Sequence, residues 1–142
     1  GTSSSITPTL ANVVTRTAGD VTTTSATLTD LTGASITLTT GANPVLLGFS
    51  GSCEHSNAAG DVIILNFQVD DTTLVVGSSG ALEEVDATGR RYLCSITAMT
   101  ADLTAASHTF DFQWAESGSA GTATMNCDGT NSCVFWAVEV MD

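Results

Sequence analysis

The stretch His108–Ala115 alternates without a break: Phe110, Phe112 and Trp114 fall on one side, Thr109, Asp111 and Gln113 on the other. A period of two is the geometry of a β-strand with one buried face, whereas a helix would scatter these rings around its circumference. The same period returns in Asp61–Asp70, where Ile63, Leu65, Phe67 and Val69 oppose Asn66 and Gln68. It returns again in Val45–Glu54, with Leu47, Phe49, Gly51 and Cys53 on one face, and in Arg90–Thr100, with Tyr92, Cys94, Ile96 and Ala98. Val21–Leu31, Ser35–Thr40 and Thr72–Val76 are weaker runs of the same kind, and Thr122–Cys127 with Cys133–Met141 reads as a hairpin. Gly, Asn and Asp punctuate these runs at intervals of about eight to twelve residues, the rhythm of a sandwich or barrel. Parallel α/β strands would be uniformly apolar, so the alternation speaks for antiparallel sheets. The predicted core is Leu47, Phe49, Ile63, Leu65, Phe67, Ile96, Phe110, Phe112, Trp114 and Trp136.

Length and composition agree with one β domain. The chain has 142 residues, 42% of them hydrophobic, enough for a core. Its polarity comes from 24 Thr and 15 Ser rather than from charge, which is 13%. β-branched Thr suits a pleated surface. Residues 1–19 are hydroxyl-rich, with Pro8 keeping Thr7 out of helical geometry, and read as an extended N-terminal arm. Residues 20–142 form the β-sandwich domain. Within the arm, Ile6, Leu10, Val13 and Val14 are the apolar residues available for assembly.

There is no Lys, and Arg16, Arg90 and Arg91 stand against 15 acidic residues, for a net charge of −12. Such a surface repels phosphates and anionic lipid, so neither nucleic acid nor membrane is expected as a partner. No run reaches the ~20 apolar residues of a spanning helix. The first residues lack the basic and apolar regions of a signal peptide, and Gly1 in place of Met leaves open whether a leader was removed.

Four cysteines lie at Cys53, Cys94, Cys127 and Cys133. The last two frame Asp128-Gly129-Thr130-Asn131, strong turn chemistry, and are expected to pair. Cys53 and Cys94 then pair by elimination; the alternative is four free buried thiols. Two disulfides place the protein outside a reducing cytosol. No CxxC pair or clustered histidines suggest a metal site, and no cofactor is expected. His55 and His108 stand alone in their segments, and no nucleophile elbow appears, so no catalytic residue is assigned. Asp70-Asp71 and Glu83-Glu84 read as solvated loop charge rather than calcium ligands, and Arg90-Arg91 as partners of nearby acids.

The order of pieces resembles a jelly-roll family found among virion proteins of tailed phages, and more broadly the trimeric TNF/C1q-type sandwich. The resemblance rests on Ile36-Thr37-Leu38-Thr39-Thr40-Gly41, on Val45–Gly51, on a strand ending in Val69-Asp70 before a Gly-rich loop, and on Leu103–Phe110, which is similar to a recurring L-x-x-G-x-H-T-F connection with Ala106 in place of Gly. Gln113-Trp114 and Gly121-Thr122-Ala123-Thr124 complete it. It implies a non-enzymatic virion structural protein: a capsid decoration or cement subunit, homotrimeric, facing a major capsid protein, on the virion surface or otherwise extracellular. Alternatives are an extracellular filament subunit assembled by N-terminal strand donation, and a receptor- or carbohydrate-binding fibre tip.

Overall fold

The computed structural model describes residues 11–57, 61–117 and 121–141. Among them the structure is all-β, with no helix, and forms two packed antiparallel sheets. The strands are β1 (Ala11–Arg16), β2 (Val21–Thr23), β3 (Thr29–Thr39), β4 (Val45–His55), β5 (Val62–Val69), β6 (Thr73–Leu74), β7 (Ala81–Glu84), β8 (Tyr92–Met99), β9 (Ser107–Ser117), β10 (Ala123–Asn126) and β11 (Cys133–Glu139).

Three pairs of these segments are single strands interrupted by an excursion. β10 and β11 both run antiparallel to β4 along the same side, Ala123–Asn126 opposite His55–Ser52 and Val134–Glu139 opposite Ser50–Val45. β1 and β2 lie end to end on the far side of β11 and β10, and β6 and β7 on the far side of β5. With these merged, the first sheet is β1/β2–β11/β10–β4–β8 and the second β3–β9–β5–β6/β7. The chain crosses between the sheets in the order of a jelly roll, two Greek keys closed over one core.

This topology corrects the expected hairpin over Thr122–Met141. The turn residues Asp128–Asn131 carry the chain out and back, and β11 then continues in the direction of β10. The opposite break holds the excursion: Gly19 N donates to Cys127 O at 2.7 Å, and Cys127 N donates to Asp20 Oδ1 at 2.9 Å. In the second sheet Asn66 does the same for the β6/β7 break, donating to Gly77 O at 2.8 Å and accepting from Val76 N at 2.9 Å.

The core follows the alternation. Phe110, Phe112 and Trp114 of β9 are buried between the sheets with Phe49, Phe67 and Phe135. Phe49 and Phe112 stack across the sandwich at 3.6 Å between centroids. Trp136 departs from expectation. Phe135 takes the inward position, so the next residue points out, and the Trp136 ring lies over Gly48 on the outer face of the first sheet. A Cβ at Gly48 would overlap that ring, so glycine is required there.

The boundary expected at residue 19 falls inside the sheet, because Ala11–Arg16 pairs along its length with β11. Residues 1–10, including Ile6 and Leu10, lie outside the described residues. Ala81–Glu84, expected as loop, forms β7: only Leu82 and Glu84 flank the floor of the outer face, so its alternation is too short to register in the sequence.

Candidate functional site

Disulfides join Cys53 to Cys94 and Cys127 to Cys133, with Cα separations of 6.1 and 5.5 Å. The first links neighbouring strands of one sheet: β4 and β8 pair Cys53 with Tyr92 and Gly51 with Cys94, so the two cysteines are diagonal partners on the inward face. The second closes the excursion between β10 and β11, its Cys133 Sγ seated against Gly51, where a Cβ would lie 3.0 Å from the sulfur.

The outer face of the first sheet carries three cross-strand rows. They read Ala11–Val138–Leu46–Met99, Val13–Trp136–Gly48–Thr97 and Thr15–Val134–Ser50–Ser95. None of these residues is charged, on a chain of net charge −12. Val13 is 57% exposed, Met99 50% and Val138 39%. Of the residues expected in an assembly arm, Val13 therefore stands on this face, and Val14 packs inward against the core.

At one end of the sandwich, Asp70, His108 and Thr104 meet beside a cavity of about 420 Å³. His108 Nδ1 lies 2.6 Å from Asp70 Oδ2, and Nε2 lies 3.4 Å from Thr104 Oγ1, an order that imitates a nucleophile–base–acid triad. The hydrogen bonds do not serve that chemistry. Nε2 is 2.8 Å from the Thr104 carbonyl, which can only accept, and Nδ1 faces a carboxylate, which also only accepts. Both acceptors are satisfied together by the doubly protonated ring, an imidazolium with no lone pair to act as base. The Asp70 hydrogen bond and then the Thr104 carbonyl hold the His108 pKa above its ordinary value. Desolvation works against ionisation of Asp70, but the hydrogen bonds from His108 and the Thr109 N–H outweigh it and keep that carboxyl below its ordinary value.

His55 is a core histidine. Its Nδ1 accepts from Asn57 N at 3.0 Å, so Nε2 bears the proton and donates to buried Glu116 at 3.1 Å. Arg90 pairs with Asp86 at 3.0 Å and Arg91 with Glu54 at 3.4 Å.

On the outer face of the second sheet the structure brings together Asp30, Asp71 and Asp111, with carboxylate oxygens within 4.8 Å of one another. Burial first, and then the Asp30 and Asp71 charges, raise the Asp111 pKa against a hydrogen bond from Ser35. Sequence reading left Asp71 as loop charge. The three converge because β3 pairs with β9 at Ser35–Asp111, and the turn after β5 brings Asp71 alongside.

No protein-family model and no curated protein matches the chain. Among solved structures it is similar to the Eiger TNF from S. frugiperda, at TM-score 0.50 and 13% identity over 94% of this chain and 95% of that one. It is also similar to a chain of infectious bursal disease virus, Gx strain, at TM-score 0.43 and 12% identity over 94% of this chain but 38% of that one. A third is the CBM22-1 xylan-binding domain of Paenibacillus barcinonensis Xyn10C, at TM-score 0.37 and 10% identity over 89% and 98%. The first of these agrees with the jelly-roll topology traced by the strands; the other two add nothing to it.

Proposed function

We propose that this chain is a non-enzymatic structural subunit of a virion, a capsid decoration or cement protein that acts as a homo-oligomer, most simply a trimer. The observation that carries the reading is the uncharged patch that three cross-strand rows of β1, β11, β4 and β8 form on the outer face, away from the Glu54–Arg91 pair farther along β4. Copies of a strongly acidic molecule repel one another, so their contact must use a surface without charge. This face offers valines, a methionine and an indole in register, the composition of an interface core. A closed ring would bury it on every copy. Two disulfides fit a site of action outside a reducing cytosol.

Met99→Glu and Val138→Glu test the reading at exposed positions where folding is indifferent to the change. Light scattering should show the native chain as an oligomer and either variant as a monomer with an unchanged melting temperature. A native chain that remains monomeric at about 100 μM, near the weak end of specific association, would refute self-assembly through this face. Copy number on purified particles, by quantitative mass spectrometry, tests the virion assignment separately: a shell-covering role requires many copies per particle.

A further inference from the structure

The second sheet presents a different surface. Its outer face holds a groove of about 600 Å³. Ile64, Gln68 and Gln113 form the floor, Leu28 stands on one wall, and Leu74 and Leu82 on the other. Leu82 is 62% exposed although it is a large apolar side chain. From Val62 to Gln68 the floor runs for roughly 20 Å along β5, the length of an extended segment of about six residues.

The groove ends in charge. Gln113 Nε2 donates to Gln68 Oε1 at 3.0 Å and to Asp30 Oδ1 at 2.8 Å, which joins the floor to the three-carboxylate cluster of Asp30, Asp71 and Asp111. Among the described residues no cation stands there. It has no Lys, Arg90 and Arg91 face Asp86 and Glu54, and Arg16 packs beneath Gly33 with its Nη2 on Gly19 O. A second copy, at −12, is no better supplied.

We propose that this groove docks an extended segment of a different protein, with apolar side chains along Ile64 and Leu82 and a Lys or Arg at the Asp30–Asp71–Asp111 end. The uncharged patch on the first sheet serves contact between copies; the second sheet takes a basic partner. The inference concerns the opposite side of the sandwich and stands whether or not the first sheet self-associates. An amino or guanidinium group there would relieve carboxylate repulsion that the fold leaves uncompensated. The groove walls are leucines, serines and a threonine with no aromatic ring, which suits a peptide better than a sugar face.

The probe is the peptide acetyl-Lys-Thr-Val-Thr-Val-Thr-Lys-amide, with a lysine at each end so that either direction presents one to the cluster. Its control carries Glu at both ends. Titrated into the isotope-labelled full chain and followed by NMR, the lysine peptide should shift the amides of Ile64, Leu82 and Gln113 saturably. The Glu peptide should bind at least tenfold more weakly. Asp30→Asn with Asp71→Asn, which keeps the Gln113 hydrogen bond and suits the left-handed backbone of Asp71 (φ 59°), should weaken the lysine peptide by a similar factor. Leu82→Glu should abolish binding. Absence of groove shifts at millimolar peptide, or equal binding of the two peptides, would overturn the proposal. So would calcium alone saturating the three aspartates and displacing the peptide, because the cluster would then be a metal site.

Discussion

His108 is clamped from two directions, by the Asp70 turn and by the Thr104 carbonyl, and the ring can donate to both at once only while it is charged. The folded state holds this proton more tightly than the unfolded chain, whose histidine titrates near ~6.5. The stabilisation is therefore complete below about pH 6.5 and is lost as pH rises through the elevated folded value. Asp70 works in the opposite direction at acid pH: its lowered pKa adds stability above the ordinary carboxylate value of ~3.9, lost as pH falls through the lowered one. Asp111, with a raised pKa, removes some stability as pH climbs from ~3.9 through its own elevated value. The expected result is that His108→Gln flattens the decline in the urea midpoint between about pH 6.5 and pH 8 relative to the native chain. Parallel profiles would show that the clamp contributes nothing. None of this was legible in the sequence, where His108 opens a strand and Asp70 lies 38 positions away. The neighbouring Phe110, Phe112 and Trp114 were legible, because strand period alone decides which way they point.

Among elements, the interrupted strands separate what patterning reveals from what it hides. Alternation located β4, β5, β8 and β9, whose large apolar side chains mostly line one face while polar or small ones predominate on the other. It failed at β10 and β11. A Gly-containing loop between two strands is usual for a hairpin, and nothing local records that the second segment resumes the heading of the first. Hydrogen bonds to the β1/β2 break settle that, and they come from Gly19 and Asp20, more than a hundred residues earlier. The disulfides should differ in strength accordingly. Cys53–Cys94 closes a loop with a sequence separation of 41, Cys127–Cys133 one of 6. Chain entropy then gives about 4 kcal/mol for the first and about 2 kcal/mol for the second. Double Ser substitution of each pair, measured by chemical denaturation, should show this order. Phe112→Ala should cost about 3–5 kcal/mol by the same measurement, because its ring spans both sheets against Phe49.

For the whole molecule, composition announced the class of surface without showing where each chemistry sits. A net charge of −12 with no Lys was plain in the sequence; the separation into one uncharged patch and one acid-ended groove is a product of register. The two faces should respond to salt in opposite ways. The proposed self-association through Trp136, Val138 and Met99 would bury apolar area and should persist or strengthen at about 1 M NaCl, where the Debye length is ~3 Å. Docking of a basic segment at Asp30 and Asp71, which are exposed, should weaken over the same range. Sedimentation of the oligomer and titration of the lysine peptide across a salt series would show both trends; an oligomer that dissociates on adding salt would place charge at its interface.

The detour between Cys127 and Cys133 has a further consequence. Its two ends are fastened 5.5 Å apart by a covalent bond, and the strand on either side is already paired with β4. Whatever occupies positions 128–132 is thus insulated from the register of the sandwich. A foreign sequence grafted there would be carried as a tethered loop on every copy of the chain, which makes this the natural place for such a protein to vary, or to be made to display something new.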